Sequence, residues 1–164
     1  MSTLDKTKQE VRAILTQYLT EKLQRKTPER FAILDEIYTH DGHFDIEGLY
    51  ILMKNKKYRV SRATLYNTIE LFLDCNLVTQ HRFGNNVTQY EKSYKYKQHD
   101  HLICLDCNKI FEFCDPRIQQ IQKTSSEILG FSVQHHSLNL YGKCDRLIAG
   151  ACEHQLTQQA TQAH

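Results

Sequence analysis

The sequence predicts an α+β chain: an N-terminal winged helix-turn-helix domain followed by a small α/β domain. Three observations predict it. Helical apolar periodicity, with capping signals at each start, runs through the first 75 residues. The period then switches to two, in short runs around Gly84-Asn85-Asn86. Beyond residue 98 a second pattern follows, of two short strands, a helix and a strand.

Leu4 to Gln24 reads as a helix whose apolar stripe is Val11, Ile14, Leu15, Tyr18 and Leu19. In "TPERFAILDEIY", Thr27 suits an N-cap and Pro28 the first helical position, with Phe31, Ile33, Leu34 and Ile37 facing inward. "DIEGLYILMKN" opens on Asp45 as cap and carries Leu49, Leu52 and Met53. Ser61 caps "VSRATLYNTIELFLDCNLV", where Ala63, Leu65, Ile69, Phe72 and Leu73 recur at helical spacing. "VTQHRF-GNN-VTQYE" is a hairpin. Three helices, the last capped and followed by a hairpin, make a winged helix-turn-helix, whose last helix enters the major groove while the hairpin touches the flanking backbone.

In the second part "HLICL" and "KIFEF" read as strands. "DPRIQQIQKTSSEILG" reads as a helix with Asp115 as cap, Pro116 in its first turn and Gly130 past its end. "FSVQHHSLNLYG" reads as a strand throughout. The expected domains are 1–92, a winged-helix domain with a helical N-terminal extension, and 99–154, with "SYKYKQ" (93–98) as hinge. The polar stretch 155–164, "QLTQQATQAH", lacks apolar anchors and is expected to be disordered.

The 164 residues suffice for one ordinary domain or two small ones. Forty per cent are hydrophobic and 24% charged, a globular composition, and no apolar run approaches the ~20 residues of a membrane span. "MSTLDKTKQEVR" has no apolar signal core, so a cytoplasmic protein is expected, one whose six cysteines serve as metal ligands or free thiols rather than disulfides. The basic excess lies in residues 1–92, with 14 Lys+Arg against 12 Asp+Glu, whereas residues 93–164 hold seven of each. "KNKKYRVSR" (54–62) alone would be a solvated helix end; directly before the recognition helix, its cations are placed to meet phosphate.

"KQHDHLICLDCNKIFEFCD" (97–115) holds two histidines, three cysteines and four carboxylates. Cys104 and Cys107, two residues apart, form a knuckle that can reach one tetrahedral ion, and Asn108 tolerates the left-handed backbone such a turn needs. A lone Cys-x-x-Cys also suits a redox pair, but that would more often open a helix, and here the context is strand–turn–strand. Cys144 and Cys152, with seven residues between them, supply a second pair for a structural four-cysteine zinc site. In a strand His99 and His101 share one face and can chelate one ion, with Glu112 close by on the adjoining strand.

"TPERFAIL", "SRATLYNTIELF", "HDHLICLDCNKIFEF" and "HHSLNLYGKC", in this order over roughly residues 25–152, resemble the ferric uptake regulator family of metal-responsive repressors. The resemblance implies a winged-helix DNA-binding domain, a small dimerisation domain, one structural zinc per subunit and a sensory metal at the domain hinge. It assigns the regulatory metal to His43, Glu91, His99, His101 and Glu112, with Fe2+ expected first and Mn2+ or Zn2+ as the other candidates. Without it, His43 in "HDGHFD" reads as a surface histidine. It also implies a homodimer on a double-stranded DNA operator. The DNA-facing residues would be Lys26, Thr27 and Arg30 near the second helix, Lys56, Lys57 and Arg59 before the recognition helix, and Ser61, Arg62, Thr64, Tyr66 and Asn67 on it.

Where many iron-sensing relatives have another site, of two histidines and two carboxylates, this chain has Gln98, Asp100, Gln119 and His136. Two of these are amides, poor donors for transition metals, so this second site is expected to be degraded. Peroxide-sensing relatives have Asp where Glu112 stands, which favours metal sensing here. Asn67 replaces a usual Arg and would prefer adenine to guanine. Cys75 and Cys114 are left over, the former expected in the core. A zinc hydrolase would need an open coordination position, and no His-Glu-x-x-His spacing occurs, so no enzyme is expected. The alternative is a haem- or redox/peroxide-responsive regulator of the same fold.

Overall fold

A computed structural model describes residues 3–83, 87–106 and 108–143, with only the backbone described at Val87. These residues fall into two compact units: residues 3–82 with 87–96, and Phe83 with residues 97–143. Cys107, Cys144, Cys152, the Gly84-Asn85-Asn86 turn and the 155–164 segment lie outside the described residues.

The first unit contains α1 (Thr3–Glu21), α2 (Pro28–Ile37), α3 (Ile46–Asn55), α4 (Arg62–Asp74), β1 (Val78–Phe83) apart from its last residue, and β2 (Val87–Lys92). Helix starts follow local chemistry. The Asp45 carboxylate accepts from the Gly48 N–H at 2.6 Å, and the Ser61 hydroxyl from the Thr64 N–H at 3.0 Å. At α2, Pro28 supplies the start while Thr27 makes no side-chain cap bond. The helix stripes meet in one core: Val11, Leu15 and Leu19 of α1, Ile33 and Leu34 of α2, Met53 of α3 and Leu65 and Phe72 of α4 are all fully buried. β1 and β2 pair as the two-stranded wing.

Residues 93–95, expected in the hinge, are fastened to this first unit. Ser93 Oγ donates to Asn76 O at 2.6 Å, the Tyr94 N–H to the Tyr38 hydroxyl at 3.2 Å, and Lys95 pairs with Glu10 at 2.7 Å. Tyr38 in turn donates to Leu77 O at 2.7 Å, so one buried tyrosine ties α2 to both ends of the wing.

The second unit contains β3 (Asp100–Cys104), β4 (Ile110–Phe113), α5 (Pro116–Leu129) and β5 (Asn139–Gly142). Its sheet has the order β4-β3-β5, with β4 antiparallel and β5 parallel to β3. Asp115 caps α5, and Gly130 ends it at φ +70°, the left-handed turn glycine permits. The strand expected over residues 131–142 is realised only as Asn139–Gly142. The reason is the partner: β3 begins at Asp100, and its first bond to this segment is His101 N–H to Leu138 O at 3.0 Å. Earlier residues have no β3 ladder to join.

The register lines up Phe111, Leu102 and Leu140 across three strands, and all three stay about 40% exposed. α5 buries no residue, and Ile121, Ile128 and Leu129 are exposed on it. Among the described residues no helix is long and apolar enough to cross a membrane.

Candidate metal centre and nucleic-acid interface

In the first unit a single antiparallel bridge between Phe44 and Tyr90 is closed by hydrogen bonds of 2.9 and 2.8 Å. Residues flanking such a bridge face one another, so His43 comes opposite Glu91. His43 Nε2 lies 3.5 Å from Glu91 Oε2, and the side chains are only 8% and 9% exposed. His81 of β1 reaches the same carboxylate, its Nε2 2.6 Å from Glu91 Oε1. The rings of His43 and His81 meet edge to face, with centroids 5.6 Å apart. The sequence marks His43 and Glu91 but carries no signal for His81 beyond a histidine on an alternating strand.

In the second unit the β3–β4 register places His101 opposite Glu112. His99, one residue before the strand, packs its ring edge to face against His101 at 4.8 Å between centroids. His99 Nε2 lies 3.8 Å from Glu112 Oε1. Its Nδ1–H donates to the Lys97 carbonyl at 2.9 Å, which puts the lone pair of the neutral ring on Nε2. Both units therefore hold imidazole and carboxylate donors of the kind that iron, manganese and zinc accept. The residues present fit a divalent ion.

The residues of the expected degraded site form a different arrangement. Buried Asp100 pairs with His136 Nε2 at 3.1 Å. The other ring nitrogen lies 3.1 Å from Gln122 Oε1, and Gln98 Nε2 donates to the His136 carbonyl at 3.0 Å. Gln119 lies exposed on α5, and it is Gln122, about one turn on, that meets His136. Among these four expected residues Asp100, His136 and Gln98 come together, held by protein hydrogen bonds.

Cys104 ends β3 and is buried. The Asn108 N–H donates to Cys104 O at 2.9 Å, and the Cys104 N–H to Lys109 O at 3.0 Å. Asn108 has φ +57°, the left-handed conformation the knuckle spacing leads one to expect. Cys75 caps α4 against the core, where burial pushes its thiol up to about 11. Cys114 is exposed.

α4 buries Leu65, Thr68, Ile69 and Phe72 and leaves Arg62, Tyr66 and Asn67 exposed. The cations around its start differ in how they are held. Lys56 Nζ donates to both oxygens of buried Glu36, at 2.7 and 2.9 Å. Burial alone would raise the Glu36 carboxyl, but hydrogen bonds from Lys56 and His40 outweigh it and hold the pKa below the ordinary value. Arg62 grips Glu47 through two nitrogens and lies over the Tyr50 ring at 4.0 Å. Among the described residues no carboxylate pairs with Lys54, Lys57 or Arg59. Lys26 is exposed, and Arg30 donates to the Arg25 carbonyl at 2.7 Å.

A family model described as the ferric uptake regulator family matches residues 21–141. The ferric uptake regulation protein of Haemophilus influenzae is 35% identical over 119 residues, 72% of this chain and 81% of that protein. The peroxide operon regulator of Bacillus subtilis is 31% identical, over 73% of this chain and 81% of its own length. The solved ferric uptake regulator of Francisella tularensis with iron superposes with a TM-score of 0.65 at 30% identity, covering 74% of this chain and 92% of that one. A match across most of both chains, on a fold with a wing and a β4-β3-β5 sheet, leads to one conclusion: this chain belongs to the ferric uptake regulator family.

Proposed function

We propose that the chain is a metal-dependent transcription repressor, acting in the cytoplasm as a homodimer on double-stranded operator DNA. It is not an enzyme. The regulatory divalent metal belongs to His43, Glu91, His99, His101 and Glu112. Fe2+ is proposed first, with Mn2+ or Zn2+ as the other candidates, because a nitrogen-and-oxygen set lacks the thiolates that favour zinc. One structural zinc per subunit belongs to Cys104, Cys107, Cys144 and Cys152, a closed thiolate set.

The observation that carries the reading is the His43 side chain, 8% exposed, held against buried Glu91 by one backbone bridge. Polar side chains so far out of water are costly unless paired or bound to an ion, and these two are ligand types. A divalent ion bound there would supply the positive charge that holds donors from both units in one pose. Such a ligand shifts a conformational equilibrium by its differential affinity for the two states. DNA contact falls to Tyr66 and Asn67 for base edges and to Lys26, Thr27, Arg30, Lys56, Lys57, Arg59, Ser61, Arg62 and Thr64 for the backbone. The exposed row Phe111–Leu102–Leu140 supports the homodimer, since an apolar sheet face gains by meeting a second copy.

The test uses operator duplexes selected from random DNA in the presence of Mn2+, with affinity measured with metal and with chelator. Wild type should tighten by about 5–150-fold with metal. His99→Ala and His101→Ala should lose that response, whereas Asp100→Ala and His136→Ala should keep most of it. The reverse pattern would move the sensor to the Asp100–His136 group. A haem- or redox/peroxide-responsive regulator is the second reading, favoured by the exposed Cys114 thiol and the likeness to a peroxide operon regulator. A Soret band on haem addition, or release from DNA on peroxide treatment, would select it.

A further inference from the structure

Glu91 is approached by two imidazoles, and the two approaches differ in kind. His81 Nε2 stands 2.6 Å from Oε1, the length of a strong, charge-assisted hydrogen bond. His43 Nε2 stands 3.5 Å from Oε2, at the edge of hydrogen-bond range. Two donors bound to one divalent ion at about 2.1 Å lie about 3.0–3.5 Å apart, between octahedral and tetrahedral geometry. The His43–Glu91 edge has that length; the His81–Glu91 contact is too short for it.

We propose, resting on the metal-dependent reading above, that His81 is a positioning residue of the sensory centre. Its ring N–H fixes Oε1 of Glu91 and turns Oε2 toward His43 as the metal-facing oxygen. Ligating carboxylates are commonly oriented in this way by a hydrogen bond to the oxygen that does not bind, and loss of such a support typically costs 10–100-fold in metal affinity. The setting makes the support effective. The Glu91 side chain is 9% exposed and that of His81 17%, so little water competes for Oε1. Both sit on the wing, His81 on β1 and Glu91 on β2, so pairing of the two strands sets the distance before any ion arrives.

The experiment titrates Co2+ into the full chain as purified, following its visible ligand-field bands, with thermal unfolding of the metal-free chain as the control for folding. His81→Ala should weaken Co2+ binding about 10–100-fold while leaving the positions and intensities of the bands unchanged, because the ligands remain. His81→Gln, whose amide N–H can still reach Oε1, should recover most of the affinity. If the alanine chain does not fold, His81→Leu keeps the bulk without the nitrogen and carries the same expectation. Wild-type affinity in His81→Ala or His81→Leu would overturn the proposal. So would altered bands, which would make His81 a ligand. Unaltered Co2+ binding in His43→Ala and Glu91→Ala would instead remove the sensory site itself. That failure is separate, because it is read on different residues.

Discussion

Lys56 and Glu36 form a two-point contact, both carboxylate oxygens accepting from one ammonium, with the glutamate buried and the lysine half exposed. The lysine next to it stands differently. Lys57 has φ +63° in the turn that ends α3 and no carboxylate partner among the described residues.

Neighbouring lysines of one basic run should therefore fail in different ways. Lys56→Ala removes a partner from a buried carboxylate and should cost on the order of 1–3 kcal/mol of stability. Lys57→Gly relieves a left-handed side chain and should change stability by ~1 kcal/mol in the favourable direction. The same substitution removes a cation from the proposed DNA face and should flatten the salt dependence of binding by about one unit of slope. Denaturant unfolding and salt-dependent anisotropy check both. Equal stability losses from the two substitutions would mean that Glu36 does not hold Lys56 in solution.

Acid should loosen the first unit through Glu36. Its native pKa is lowered below the ordinary 4.5, so the unfolded chain binds its proton first as pH falls. The stabilising contribution is present above 4.5 and is lost as pH drops through the lower native value. In urea melts between pH 6 and 3 (roughly the window the linkage relation covers), Glu36→Gln should show a flatter decline than wild type. An identical slope would show that other carboxylates carry the acid sensitivity.

The apolar row on the second sheet gives a prediction about assembly. Leu102 sits between Phe111 and Leu140 in register, so a charge there would lie in the middle of the face. Leu102→Asp should convert the proposed homodimer to monomer in sedimentation velocity at micromolar concentration, because an unpaired carboxylate in an apolar interface costs several kcal/mol. Since Leu102 is 39% exposed, the substitution should leave the fold of the isolated unit in place by circular dichroism. A dimer that survives it would put the interface elsewhere.

What could be read from the chain alone was local. Asp45, Ser61 and Asp115 cap the helices they precede, Asn108 takes a left-handed turn, and most of the α1 and α4 stripe residues turn inward as their spacing predicts. Of the expected stripes, Val11, Leu15 and Leu19 of α1 and Leu65, Ile69 and Phe72 of α4 are the fully buried members, while Ala63 is exposed. Each of these local features depends on residues within a turn or two, where backbone sterics and side-chain hydrogen bonds leave few alternatives. Motif order over a long span also carried the family, and with it His43, which no local rule would single out.

Tertiary structure decided what depends on partners distant in the chain. The 131–142 stretch alternates like a strand, yet only Asn139–Gly142 pairs, because a ladder needs a neighbour and β3 is five residues long. Lys56 reads as one cation among five, and folding alone brings Glu36, twenty residues earlier, beneath it. His81 and Glu91 lie ten residues apart on two strands, a separation that means nothing until the wing pairs and sets their side chains 2.6 Å apart. Side-chain chemistry is written in the sequence; which groups share a desolvated contact follows from chain closure and packing, which no short window of residues contains.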